Sequence, residues 1–352
     1  MASILRGIDN LDSADIVKDS TCESDIAPYN KGFKNYIING NFDVWQYGTS
    51  QTSSGYGSDD RWRNTNSGST KTHSMIACTD TERALFNSSF FSRTVVSSVA
   101  GANNNVQKFQ LIENVAKLAG KTVTVSFWAK ADSTKNIAIE FGQIFGTGGN
   151  PSATVSAVGA QLIPLTSTWQ KITRTFTFPS IVGKTIGTDG VHTSSTYLVF
   201  WFDAGSSFNS RSANLGQQSG TFDIAQVQLE EGSVATPFEQ RPFALELSLC
   251  QRYYQKFVQN GASGELYSHE RAYLTAAGVT YITKTIPFKV PMRTTPTITI
   301  PRVYNQGTDY DSDWAVYTSG LNGGMGGITI YKGISTNING IIAFDAIASA
   351  EL

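Results

Sequence analysis

The chain has 352 residues, of which 28 are acidic and 27 basic, and a formal net charge of -1. This length is sufficient for two ordinary domains with a short extension. The balanced charge argues against the broad basic surface that neutralises nucleic-acid phosphates, so no nucleic acid is expected as a partner. No run of ~18 apolar residues occurs, so membrane insertion is not expected either.

The first segment, residues 1–33, has few large apolar side chains and ends in a turn-forming cluster at 28–32 (PYNKG). It is predicted to be an N-terminal arm that orders only against a partner. It contains no apolar stretch of signal-peptide length, which predicts synthesis without export by the general secretory route. The three cysteines (Cys22, Cys78 and Cys250) are far apart and odd in number, which favours free thiols in a reducing cytoplasm.

Residues 34–241 contain short apolar or alternating segments separated by glycine, asparagine and serine. Short strands at regular spacing predict an all-β fold, a jelly-roll β-sandwich, rather than βαβ units. The clearest predicted strands are 71–78, 121–131, 136–141, 169–178, 196–203 and 221–229.

A linking helix is predicted at 242–254, because Pro242 suits a first helical turn. Leu245, Leu249 and Tyr253 would then share one apolar stripe. The segments after this helix, residues 255–352, predict a second small β-sandwich domain. Its predicted strands are 279–289, 296–301, 327–332 and 340–347.

Several stretches resemble known families. Residues 36–48 (YIINGNFDVWQYG), 223–254 and the terminal 348–352 (ASAEL) resemble bacteriophage tail and fibre proteins. Residues 126–131 (SFWAKA) and 168–178 (TWQKITRTFTF) are similar to strands of family 4/9-type carbohydrate-binding modules. The resemblance implies a homotrimeric virion protein that contacts the host surface. Since the chain has no extended shaft, a short tail fibre, a spike or a capsid fibre is expected.

The function expected from this resemblance is that of a glycan-binding adhesin on the virion, at the tail or capsid surface, made in the host cytoplasm. The arm would attach it to other virion proteins. One alternative is a purely structural homotrimeric head-fibre, collar or tail component that binds no sugar. Another is a polysaccharide depolymerase.

No catalytic residue is predicted, so the protein is expected not to be an enzyme. Glycoside hydrolysis usually needs two carboxyl groups that face each other across the sugar. Glu230 and Glu231 are sequence neighbours, would point to opposite faces of a strand, and are predicted to lie in a surface turn. Neither a zinc-binding HExxH motif nor a GxSxG nucleophile motif is present.

Glycan binding would need flat aromatic faces with polar groups beside them. In 121–131, alternation places Val123, Val125 and Phe127 in the core and Trp128 and Lys130 on the opposite face. In 196–203, Leu198, Phe200 and Phe202 lie opposite a face with Tyr197, Val199, Trp201 and Asp203. The candidate glycan-binding residues are therefore Trp128, Lys130, Trp201, Asp203, Asp60, Arg61 and Trp62. The alternatives are that Trp128 and Trp201 fill a core or a trimer interface, and that residues 60–62 form a salt-bridged strand start.

No cofactor is expected apart from a structural calcium ion. The resemblance to carbohydrate-binding modules implies that Asn41, Asp43 and Asp223 would hold it. Calcium binds six to eight oxygen ligands, and these three residues are the only ones that the resemblance nominates.

Overall fold

The computed structural model describes residues 33–189, 193–257, 280–305, 308–310, 315–317, 326–334 and 342–352. The predicted N-terminal arm, apart from Phe33, lies outside the described residues, as does Cys22.

Eleven strands form the first part of the described chain, and every pairing between them is antiparallel. They are β1 (Ser50–Gln51), β2 (Arg63–Ser67), β3 (Thr70–Ala77), β4 (Phe90–Ser97), β5 (Asn105–Glu113), β6 (Thr122–Ala131), β7 (Lys135–Phe145), β8 (Val155–Leu165), β9 (Gln170–Thr177), β10 (Ser194–Ala204) and β11 (Gly220–Glu231). One sheet has six strands in the order β1-β3-β4-β11-β6-β9. The other has five, in the order β2-β5-β10-β7-β8.

The two sheets pack face to face as a β-sandwich because their strands alternate in character. Val123 and Phe127 of β6 meet Leu198 and Phe200 of β10 in one core cluster, and all four are fully buried. The predicted core face of β6 is therefore confirmed, and β10 is buried on both of its faces. All six strands predicted in this region are present, and the all-β fold class is confirmed.

The helix α1 (Asp80–Phe86) was not expected from the sequence. Thr79 caps it by accepting a hydrogen bond from the backbone N–H of Glu82, while the Glu82 carboxylate accepts one from the backbone N–H of Thr79. This reciprocal pair is a capping box, and its T-x-x-E pattern is visible in the sequence. The helix ends at Asn87, which adopts the left-handed conformation with φ 49°.

The helix α2 (Phe243–Gln251) begins directly after Pro242, as predicted. Of the predicted stripe, Tyr253 is buried but lies beyond the end of the helix, and Leu245 and Leu249 are only half-buried, while Glu246 and Cys250 are buried. The burial of Glu246 is compensated by two contacts: its carboxylate accepts a hydrogen bond from the Asn39 backbone and pairs with Arg241 at 3.3 Å. Within the described ranges, neither helix combines the length and apolar content that crossing a bilayer requires.

Seven further strands follow α2: β12 (Tyr254–Phe257), β13 (Thr280–Pro287), β14 (Thr297–Asn305), β15 (Thr308–Tyr310), β16 (Ala315–Tyr317), β17 (Gly327–Ile334) and β18 (Ile342–Ser349). They form a four-stranded sheet, β12-β18-β14-β15, and a three-stranded sheet, β13-β17-β16. The four strand segments predicted in this region are all found as strands. The exact domain boundaries stay a prediction.

Candidate functional site

The outer face of the five-stranded sheet presents two aligned rows of side chains. Antiparallel register places residues of β2, β5, β10 and β7 directly beside one another. The first row is Arg63, Phe109, Val199 and Glu140, and the second is Leu111, Tyr197 and Gly142. Because neighbouring residues on each strand alternate between the core and this face, the rows follow from strand periodicity.

These rows form the floor of a groove of about 580 Å³. Phe109 and Tyr197 supply aromatic surface, and Arg63 and Arg211 supply guanidinium groups. Gln107 of β5 and Thr65 of β2 add polar groups, as do Thr154 and Ser156 near the start of β8. The groove therefore combines flat apolar surface with planar hydrogen-bonding groups, which is typical of sites for small polar ligands.

Gly142 makes room for the Tyr197 ring. A Cβ atom at position 142 would lie 2.2 Å from the ring, so a side chain there would displace the tyrosine. Tyr197 is only 6% exposed, and burial, followed by the charge of Glu140, raises its pKa to about 12. Its hydroxyl therefore stays protonated at neutral pH.

Glu140 fixes Arg211 at one end of the groove. The carboxylate accepts a hydrogen bond from Arg211 Nε at 2.8 Å and another from a terminal nitrogen of the same guanidinium. Its second oxygen accepts the backbone N–H of Ala157 at 2.8 Å, where the backbone has a positive φ of 59°. Burial raises the pKa of Glu140, and the hydrogen bonds from Arg211 offset this only in part.

Arg63 stands at the other side of the groove and differs from Arg211. It is exposed, and its guanidinium carbon lies 5.3 Å from the centre of the Phe109 ring. Among the described residues it forms no ion pair, so its charge is uncompensated by any carboxylate.

Trp201 and Asp203, two of the predicted glycan-binding residues, lie on or beside this sheet but are fully buried. The Trp201 ring packs against Phe208 at 5.1 Å and beneath the Arg211 guanidinium at 5.1 Å. Asp203 accepts hydrogen bonds from Ser69 at 2.6 Å and Ser98 at 2.8 Å. Trp201 thus supports the groove from below, and Asp203 anchors loops, so neither residue offers a surface to a ligand.

Trp128 and Lys130 lie on the outer face of the other sheet. Trp128 is half-buried against Phe86 of α1, with ring centres 5.7 Å apart, and Lys130 pairs with Glu82 at 3.1 Å. The alternation that predicted a second face for Trp128 holds, but α1 packs on that face. Since Trp128 and Trp201 lie on opposite sides of the sandwich, they cannot contribute to one site.

The prediction for Asp60, Arg61 and Trp62 requires correction, because all three are buried. Trp62 stacks on Phe42 in the core at 5.3 Å, and Arg61 pairs with Glu351. Asp60 accepts hydrogen bonds from Gln46, and burial raises its pKa to about 7. Buried side chains cannot meet a glycan, so the salt-bridge alternative describes this segment better.

The predicted calcium ligands do not form one oxygen cluster. Asp223 accepts two hydrogen bonds from Arg93, at 2.7 and 2.9 Å, so its carboxylate already pairs with a cation. Asn41 donates to Asp43 at 2.8 Å, and Ser88 also donates to Asp43. In the described part of the chain, no group of three or more His, Cys, Asp or Glu residues is placed to hold a metal. These contacts do not fit a calcium shared with Asp223.

The residues that line the groove were mostly missed at the sequence level. Alternation had placed Tyr197 on the correct face of β10, but it gave no reason to prefer that residue. The same alternation in 105–113 (NVQKFQLIE) places Gln107, Phe109 and Leu111 on one face and could have nominated them. Arg211 lies in a loop without a periodic pattern, so no signal of this kind was available for it.

No family model and no curated protein matches the chain. Among solved structures, a family 4 carbohydrate-binding module is similar at 18% identity over 56% of this chain and 99% of its own, with a TM-score of 0.30. A family 11 module from Clostridium thermocellum, in complex with a β-1,3-1,4-mixed-linked tetrasaccharide, is 10% identical over 53% of this chain and 98% of its own, with a TM-score of 0.31. The enzymatically active domain of tailspike protein 4 of bacteriophage CBA120 is 16% identical over 56% of this chain but 21% of its own, with a TM-score of 0.31.

Proposed function

We propose that this protein binds glycans, without cleaving them, through the groove on the outer face of the five-stranded sheet. The observation that carries this proposal is the pairing of aromatic floor and planar donors in one groove. Phe109 can pack against the apolar face of a sugar ring, while Arg63, Arg211 and Gln107 can hydrogen-bond its hydroxyl groups.

The absence of cleavage is part of the proposal. No carboxylate is found among the described residues that line the groove. Glu140 lies beneath it, but its oxygens are occupied by Arg211 and by the Ala157 N–H. Hydrolysis of a glycosidic bond needs an acid and a second carboxylate on opposite sides of that bond. This arrangement supports binding alone.

We further propose that the glycan-binding protein is a bacteriophage virion component, a short tail fibre, spike or capsid fibre, and that the groove contacts the host surface. The sequence resemblance of residues 36–48 and 223–254 to phage tail and fibre proteins supports this proposal. The arm at 1–33 would attach the protein to other virion proteins, and the assembly would be a homotrimer.

The experiment that tests the proposed function is a glycan array followed by calorimetric titration of the full chain with the best ligand. Phe109→Ala should weaken binding about tenfold, because an aromatic stacking contact contributes about 0.5–1.5 kcal/mol beyond the area it buries. Phe243→Ala is the matched control, since Phe243 is 58% exposed on α2 and lies outside the groove. No binding to any glycan, or equal affinity of folded Phe109→Ala and the parent protein, would contradict the proposal.

A further inference from the structure

We propose that the groove selects acidic glycans, and that Arg63 binds the carboxylate, sulfate or phosphate group of the saccharide. This inference rests on the proposed glycan binding and specifies its ligand class. The chain has a net charge of -1, so the inference depends on a local distribution of charge and not on a basic protein.

The groove is lined by positively charged side chains. Its lining contains two arginines, Arg63 and Arg211, and no acidic residue among those described. Glu140 compensates Arg211 from below through hydrogen bonds to Nε and a terminal nitrogen. One full positive charge, that of Arg63, is left facing the groove.

Arg63 differs from four other arginines, which lie in ion pairs with carboxylates. Arg61 pairs with Glu351, Arg211 with Glu140, and Arg252 with Glu113 at 2.9 Å. Arg293 also lies within 3.7 Å of Glu113. Arg63 has no such partner in the described part of the chain. The groove lining therefore carries one arginine charge that no described carboxylate pairs with.

Contacts with strand β5 hold Arg63 in place. Its guanidinium lies over the Phe109 ring at 5.3 Å, and its position on β2 is fixed by the antiparallel pairing of Arg63 with Phe109 on β5. A guanidinium stacked on an aromatic face keeps its N–H edges free for planar two-point hydrogen bonding to an oxyanion. A sugar ring that reaches the remaining Phe109 surface would bring its acidic substituent within range of those donors.

The same geometry argues against a neutral ligand as the selected one. Hydroxyl groups can be bound by the amide of Gln107 and by the threonine and serine hydroxyls of the groove, without an exposed cation. An unpaired charge at the groove adds attraction only for a ligand of opposite sign. We infer that Arg63 supplies discrimination rather than general affinity.

The test compares acidic polysaccharides with neutral counterparts: polygalacturonate with its methyl ester, and dextran sulfate with dextran. Neutral xylan and β-glucan oligosaccharides are measured beside them. The inference predicts binding to an acidic member and at least tenfold weaker binding to its neutral counterpart, since hydrogen bonds to charged groups are roughly twice as strong as neutral ones. Affinity should also fall as salt is raised from 50 to 500 mM, because a groove-surface charge is screened. The two acidic probes distinguish carboxylate from sulfate recognition.

Arg63→Gln should lower affinity for the acidic probe about tenfold and remove most of its salt dependence. Arg174→Gln, which removes a charge from β9 in the other sheet, is the matched control and should leave both unchanged. Phe109-dependent binding of neutral glycans that is unaffected by Arg63→Gln would overturn the acidic specificity but leave the proposed function intact. Failure of every glycan to bind would overturn the proposed function itself, and the inference with it.

Discussion

At the scale of single residues, Glu140 organises the side chains of the groove from beneath it. It is fully buried, yet it pairs with Arg211, accepts the Ala157 N–H and lies close enough to Tyr197 to help raise the tyrosine pKa. A buried carboxylate is costly unless it is paired and hydrogen-bonded, and these contacts meet that requirement. Glu140 is therefore a positioning residue for the side chains above it.

Gly142→Ala should disturb the groove from below. A methyl group 2.2 Å from the Tyr197 ring must push that ring outward, at a stability cost of about 1–3 kcal/mol and with weaker glycan binding. Chemical unfolding and titration would measure both effects. The control is the same change in a Tyr197→Ala background, where the clash is gone. If Gly142→Ala costs as much stability there, the proposed steric relation is incorrect.

The raised pKa of Asp60 predicts that the stability of the protein depends on pH. Its folded pKa is raised from 3.8 to about 7, mainly by burial, so the folded state holds a proton that the unfolded state releases between these values. The free energy of unfolding should therefore fall as pH rises from about 4 to about 7, by up to roughly 4 kcal/mol from this residue. Below about pH 4 the stabilising contribution of Asp60 is fully present.

Thermal unfolding of the parent protein and Asp60→Asn between pH 4 and 9 measures the effect of this residue alone. The variant should lose less stability than the parent protein across the window, because it cannot ionise. Parallel curves for the two proteins would show that Asp60 titrates normally.

At the scale of elements, helix α1 packs on one of the two outer faces of the sandwich. It packs Phe86 against Trp128 and Trp169 on the six-stranded sheet, whereas the groove lies on the five-stranded sheet. The side of the molecule with the most conspicuous tryptophans is thus covered by the chain itself. The proposed binding face instead keeps an open groove beside Phe109.

The variant Thr79→Ala tests whether the sheet face covered by α1 takes part in glycan binding. Loss of the cap should lower the free energy of unfolding by about 1 kcal/mol, measured in urea, because an N-terminal N–H of α1 loses its acceptor. Glycan affinity should stay the same. A loss of affinity in the folded variant would indicate that the face beside Trp128 takes part in binding.

Strand periodicity shows how far the sequence alone could lead. Alternation identified β6 and β10 and assigned the core face of β6 correctly. Since β10 is buried on both faces, alternation separated its two rows of side chains but could not rank them. It could not tell which sheet each strand joins, since pairing connects residues as distant as Phe109 and Val199. For this reason the sequence offered both Trp128 and Trp201 as candidate glycan-binding residues although they lie on opposite sheets.

The buried set at 60–62 shows a second limit. A polar-aromatic triplet has the same appearance in the sequence whether it meets solvent or other parts of the chain. Here Arg61 pairs with Glu351, 290 residues further along, and its guanidinium lies 3.4 Å from the centre of the Tyr253 ring. Only the folded chain brings these partners together, so the burial of Arg61 was not predictable from local pattern.

At the scale of the whole molecule, we predict a homotrimer. Only 16% of the residues are charged, below the ~25% of ordinary soluble domains, and Phe33 and Val234 are 61% and 71% exposed in the single chain. Association would cover such apolar surface. Light scattering coupled to size exclusion should give three times the 38.1 kDa chain mass. The mass of one chain at every concentration would contradict the prediction.

The claim that a glycan binds on the five-stranded sheet is tested most directly by a crystal structure of the protein with its best-binding acidic oligosaccharide. Our account predicts a sugar ring against Phe109, with an acidic group in hydrogen-bonding contact with Arg63. A saccharide bound on the six-stranded sheet beside Trp128, or elsewhere on the chain with the groove empty, would contradict it.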